Sequence, residues 1–109
     1  MKEVLKDLDK AFENRTRLGI MSALVVNESL DFNALKDLLG VTDGNLASHL
    51  KSLEKSKYIN FKKDFLGRKP NTTYFTTTKG IDAFKKHLKA IERLLKLKFI
   101  SIIKQSQNA

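Results

Sequence analysis

Thr42, Gly44, Asn45 and Ser48, followed by Lys51 and Lys55, are the residues of this chain best suited to chemistry, and that chemistry is recognition. Short hydroxyl and amide side chains present donors and acceptors to a base edge or a backbone group. The lysines beside them are point charges for an anion. A second basic group, Lys62, Lys63, Arg68 and Lys69, is opposed only by Asp64. Bond-making chemistry is poorly provided for. The chain has no cysteine, which excludes thiolate nucleophiles, thiolate metal sites and disulfides together. His49 and His87 have no ligand-spaced partner, no glycine-rich phosphate loop follows a strand, and no carboxylate pair marks a general acid and base. The expectation is a non-enzyme with no metal and no cofactor.

Charge points to the partner. The 109 residues carry 21 Lys and Arg against 12 Asp and Glu, a net +9. Residues 1–43 hold six basic and eight acidic side chains, whereas residues 44–109 hold fifteen and four. An excess confined to one part of the chain suits a polyanion, and nucleic acid is the usual one because neutralised phosphates release counterions. Solubility and a solvated helix face are the alternative reading. No apolar run spans a membrane, and Met1–Asp7 lacks the apolar core of a secretory signal, so the cytoplasm is the expected compartment.

The elements that must position these residues follow from apolar spacing. Val4, Leu5, Leu8, Ala11 and Phe12 predict a first helix over about residues 2–12. Asn14 predicts a cap for a second, with Leu18, Met21, Leu24 and Val25 on one face. Ser29–Phe32 alternates as a short strand, and Asn33 is the expected cap of a third helix that Gly40 stops. Thr42 or Asp43 then caps a fourth, with Leu46, Leu50 and Leu53 inward. Two short helices joined by Gly40-Val41-Thr42 have helix-turn-helix spacing. Beyond them the period changes to two. Ile59, Phe61 and Phe65 share one parity, Gly67–Asn71 supplies a turn with Pro70 at its tip, and Thr72–Thr77 returns. Phe61 and Phe65 are expected to hold this hairpin down. From about Lys79 to Lys104 the helical period resumes.

The stretch Leu39-Gly40-Val41-Thr42-Asp43-Gly44-Asn45-Leu46-Ala47-Ser48-His49-Leu50-Lys51-Ser52-Leu53-Glu54 resembles the recognition region of MarR/ArsR-like winged-helix regulators. Lys69–Tyr74 and Thr77-Thr78-Lys79-Gly80 are similar to that family's second wing strand and the start of its final helix. The resemblance covers about residues 12–95 and implies a mainly α fold with a small β-hairpin, in one domain spanning residues 1–109 with its core over about 14–78. It also implies a dimeric, sequence-specific double-stranded DNA-binding transcriptional regulator, with repression the expected sign. Metal-sensing ArsR members use cysteine ligands, so thiolate metal sensing is excluded here.

On the helix near 43–55, the side opposite Leu46, Leu50 and Leu53 is small, polar and basic. Asn45 and Ser48 are the expected base readers, with Thr42 and Gly44 at the helix start. Lys51 and Lys55 are expected on phosphates. Lys62, Lys63, Arg68 and Lys69 are the expected wing contacts, Arg68 foremost. His49 is assigned to packing, His87 to no function, and Arg15 and Arg17 are left open. Ile81, Phe84, Leu88, Ile91 and Leu95 recur at seam spacing, continued by Ile102 past Lys98, with Leu94, Phe99, Ile100 and Ile103 outside the stripe. With Val4, Leu5, Leu8 and Phe12 they predict more apolar surface than one head can cover, and hence a homodimer. A protein–protein module is the rival function and would show an apolar or acidic recognition face. No constellation demands a small-molecule effector.

Overall fold

The computed structural model describes residues 1–107, apart from the side chains of residues 98–101, 106 and 107. Lys98, Phe99 and Ile100, invoked above for the apolar surface, therefore have side chains outside the described residues. The single N-terminal helix expected over residues 2–12 is broken. It is a short helix α1 (Lys2–Leu5), a turn, and a 3₁₀ segment (Lys10–Phe12). Asp9 is the cause. Its Oδ1 accepts from the Ala11 N–H at 2.9 Å, its Oδ2 accepts from the Tyr58 hydroxyl at 2.6 Å, and its N–H donates to His87 Nδ1 at 3.0 Å. A competing set of bonds from one Asp ends a helix this short. The Asp9 carboxylate also pushes the Tyr58 hydroxyl up to about 12, with burial adding to the shift.

Asn14 caps α2 (Arg15–Val26) by accepting from the Arg17 N–H, as its position predicts. The strand β1 is only Leu30–Asp31. Helix α3 (Phe32–Leu39) is capped by Asp31, not Asn33: Asp31 Oδ1 accepts from the Ala34 N–H at 2.8 Å, two residues earlier than the apolar spacing predicts. Gly40 ends α3 in the left-handed conformation, φ 62°. Thr42 caps α4 (Asp43–Lys55), and Lys36 on α3 pairs with Asp43 at 2.8 Å across the turn.

Helix α4 ends in a Schellman turn. The Tyr58 N–H reaches Leu53 O and the Lys57 N–H reaches Glu54 O, which puts Lys57 at φ 62°. A left-handed lysine costs about 1 kcal/mol. Lys57→Gly is therefore expected to stabilise the fold by up to about 1 kcal/mol, raising the thermal midpoint by several degrees. An unchanged or lowered midpoint would show that the left-handed turn carries no strain.

Strands β2 (Ile59–Leu66) and β3 (Lys69–Thr76) form the hairpin, and β1 adds to β3 to give the order β1-β3-β2, all antiparallel. Leu66 pairs with Lys69, so the loop is the two residues Gly67-Arg68, with Gly67 at φ 65°. The turn expected over Gly67–Asn71 is thus shorter, and Pro70 is a strand residue opposite Phe65. Ladder bonds alternate outward from the closing pair, so position 70 owes no N–H to β2, and β1 does not extend alongside it.

Helix α5 (Thr78–Gln107) begins where Thr77 Oγ1 accepts from the Gly80 N–H at 3.0 Å. Its first turn is locked to the segment leaving α4. The Thr77 N–H donates to Tyr58 O, the Thr77 hydroxyl donates to Lys57 O, and a Cβ at Gly80 would collide with the Tyr58 carbonyl. Thirty residues make about 45 Å of helix. The molecule is accordingly long, 69 × 25 × 22 Å, with a radius of gyration of 17.7 Å, against about 13 Å for a compact chain of this length.

One apolar cluster runs through Phe12, Ile20, Met21, Leu24, Leu35, Leu46, Leu50, Leu53, Ile59 and Phe84, so the core reaches beyond residues 14–78. Two expected interface residues are buried within the chain itself, Phe84 in this cluster and Val4 outside it. Phe84 is buried edge-on against Phe12, with ring centroids 5.2 Å apart, and Val4 is buried too, so neither offers surface to a second chain. Ile59, not Phe61, supplies the core contact of β2. Among the described residues no helix is long and apolar enough to cross a membrane.

Candidate nucleic-acid interface

The start of α4 is open to solvent. Thr42, Gly44, Asn45, Ser48, Lys51 and Lys55 are all exposed, while Leu46, Leu50 and Leu53 on the other side are buried. The N–H groups of the first turn add a partial positive charge there. Asn45 has a second commitment that the sequence did not reveal. Its Oδ1 accepts from the buried Thr16 hydroxyl at 2.8 Å, tying α4 to α2 and leaving the amide nitrogen free to donate outward. Helical spacing gave no signal for this bond, because it joins residues 29 apart in sequence.

His49 packs between the same helices, in keeping with the structural role assigned to it. Arg17 Nη1 lies 3.1 Å from His49 Nδ1, and because a guanidinium can only donate, Nδ1 is the acceptor in this contact. Arg17 Nε also donates to Ala11 O at 2.7 Å. Arg17 is thereby turned inward, and Arg15 is left as the exposed cation of that turn. His87 is buried in α5 and holds Asp9.

The hairpin stands beside α4 across an open groove of about 540 Å³. Ser48, Lys51 and Glu54 line one side, and Phe61, Lys63, Thr72 and Tyr74 the other. Burial, with Glu54 adding, pushes the Tyr74 hydroxyl above its ordinary value, so it stays a donor. The Lys63 ammonium lies 5.8 Å from the Phe61 ring, and Lys62 is 3.9 Å from Asp64. Arg68 and Lys69 stand exposed at the tip. The expectation for the two phenylalanines is half corrected. Phe61 packs obliquely on Tyr74, whereas Phe65 is 68% exposed and holds nothing down. The Phe65 position lies too near the apex of the hairpin for the head to reach it.

Lys51 of α4 and Lys63 of the hairpin thus line one groove, while Lys62 and Lys69 lie on the opposite face of the hairpin. The residues expected at a seam lie elsewhere, on α5 and the N-terminal segment. Leu88, Ile91, Leu95 and Ile102 are exposed along α5, Leu5 is exposed on α1, and Leu8 and Ile81 are half-buried. Among the described residues, no group of three or more His, Cys, Asp or Glu could hold a metal ion.

This architecture matches known proteins. Residues 16–95 fit the family model described as winged helix DNA-binding domain. An uncharacterized protein of Methanocaldococcus jannaschii is 38% identical over 87 residues, which is 80% of this chain and 95% of the relative. The structure of a transcriptional regulator homologue from Pyrococcus horikoshii superimposes with a TM-score of 0.77 at 29% identity, covering 87% of this chain and 92% of that one. A regulator of the MarR family from Enterococcus faecalis shares the fold, with a TM-score of 0.62 at 19% identity over 97% of this chain and 88% of its own.

Proposed function

Because the chain belongs to the winged helix DNA-binding domain family, we propose that it is a sequence-specific duplex-DNA-binding transcriptional regulator that acts as a symmetric homodimer. The observation that carries this reading is Gly44. A Cβ there would meet no protein atom within 4 Å, and its φ is unexceptional. Nothing inside the molecule asks for glycine in the first turn of α4, where its backbone freedom weakens the helix relative to alanine. An outside surface that must come within backbone contact accounts for it, and the basic surroundings make that surface a duplex.

In this reading Asn45 and Ser48 face base edges in the major groove, with Thr42 and Gly44 against the helix start. Lys51 and Lys55 meet phosphates. Lys62, Lys63, Arg68 and Lys69 reach the flanking duplex. The second copy docks on the exposed stripe of Leu88, Ile91 and Leu95, with Leu5, Leu8 and Ile81 at its edge. Repression follows from occlusion of a promoter by the bound dimer. The recognition face is polar and basic, which disfavours a protein–protein module.

Selection from a random duplex pool tests the reading directly. A retained sequence should bind with a log–log salt slope of several units. No enrichment, together with a flat salt response, would falsify it. The roles separate by substitution. Ser48→Ala should narrow the gap between selected and random duplex, while Arg68→Ala with Lys69→Ala should weaken both about equally. Ser48 makes the cleaner test, because Asn45→Ala also strands the buried Thr16 hydroxyl at about 1–3 kcal/mol of stability. A wing pair that altered only specificity would reverse these assignments.

A further inference from the structure

The hairpin tip carries two large apolar side chains that the head leaves uncovered, Phe65 at 68% and Leu66 at 66% exposure. They point to opposite faces, since successive strand residues alternate. The register decides which face matters. Phe61 pairs with Tyr74, Lys63 with Thr72 and Phe65 with Pro70, so all six share one face of the hairpin. The first four line the groove opposite Ser48 and Lys51 of α4. Phe65 and Pro70 continue that face outward, past the head, with Lys63 on the same face and Arg68 in the adjoining turn. Leu66 lies on the other face with its partner Lys69 and with Lys62 and Asp64.

We propose that Phe65, braced by Pro70, is a wedge that enters the minor groove next to the α4 site and partly unstacks one base step there. The inference rests on the duplex-binding reading and goes beyond it, because it makes the wing an agent that deforms DNA. Three features fit this role. The ring is aromatic and flat and can stack on a base. Its cross-strand partner Pro70 has a fixed φ, which stiffens the strand opposite it. Lys63 on the same face and Arg68 in the turn supply cations for the phosphates beside the ring. Phenylalanine and proline are side chains that minor-groove proteins insert between base pairs, bending the duplex toward the major groove. Pyrimidine–purine steps unstack most easily, so the wedge selects such a step in the flank without a base hydrogen bond.

The probe is the duplex recovered from a random pool, carrying 2-aminopurine at one flanking adenine at a time. With the full-length wild-type protein, fluorescence should rise several-fold at one flanking step, and that step should be pyrimidine–purine. Phe65→Ala should abolish the rise and weaken binding about tenfold, with an unchanged thermal midpoint because the side chain touches no core. Leu66→Ala, which removes an equally exposed apolar group from the other face, should leave the fluorescence rise intact. Tight binding with no rise at any flanking position overturns the wedge and leaves the duplex-binding reading standing. The same follows if Phe65→Ala keeps the rise, or if Leu66→Ala loses it equally. A pool that retains no duplex overturns both.

Discussion

The double variant Leu88→Glu with Leu95→Glu is expected to sediment as a monomer with its head intact, and to lose about a hundredfold or more in affinity for a duplex with two half-sites. Both side chains are exposed on α5, at 44% and 53%, so in an isolated chain the change costs little. In a seam between two copies it buries unpaired carboxylates, at several kcal/mol, roughly. Phe84 and Val4 are unsuitable for this test because each is buried in its own chain, Phe84 within the core of the head, so charge there costs folding free energy even in a monomer. The loss of affinity follows from geometry. A dimer presents its second head at a high effective concentration once the first is bound, which multiplies affinity by about 10²–10⁴ without new contacts. Sedimentation with a parallel thermal melt decides the matter. A wild-type monomer at micromolar concentration, or a doubly charged variant that stays dimeric, refutes the arrangement.

The second large effect is one of opposed signs. Gly44→Glu should raise the stability of the free protein and lower its duplex affinity at least about a hundredfold. The stability gain combines better helix propensity with a carboxylate in the first turn of α4, together about 1 kcal/mol or more. There is room for the side chain, since no protein atom lies near. The affinity loss combines bulk with negative charge where phosphates and base edges are to approach. Gly44→Ala separates these contributions, keeping the bulk and omitting the charge. Parallel melting and titration would show it. A variant that melts higher and binds as tightly as the wild type would mean that α4 does not face the duplex.

The helices were legible where a local cap or glycine set the boundary. Asn14, Gly40 and Thr42 each act within a few residues, and each lies where spacing placed it. The errors share a cause, which is competition from distant groups. Asp9 breaks the N-terminal helix because Tyr58 and His87 engage it. Phe84 left the expected seam because Phe12 covers it, and seam spacing cannot distinguish a partner in the same chain from one in another. Pro70 read as a turn residue until the register placed it where a missing N–H is harmless. At the candidate interface, residue types indicated the face of α4, but the Thr16–Asn45 and Arg17–His49 contacts needed the packing of α2 against α4.

The contact between Gly80 and the Tyr58 carbonyl has a mechanical consequence. It leaves no slack between the end of α4 and the start of α5, so the two helices turn together as a lever and its arm. The arm is about 45 Å long, so a tilt of about 5° at the fulcrum moves its far end by about 4 Å, roughly the rise of one base pair. In the proposed dimer, side chains around Tyr58 therefore act as a vernier on the distance between the two heads. Substitutions too small to disturb the fold could retune that distance by a single base-pair step.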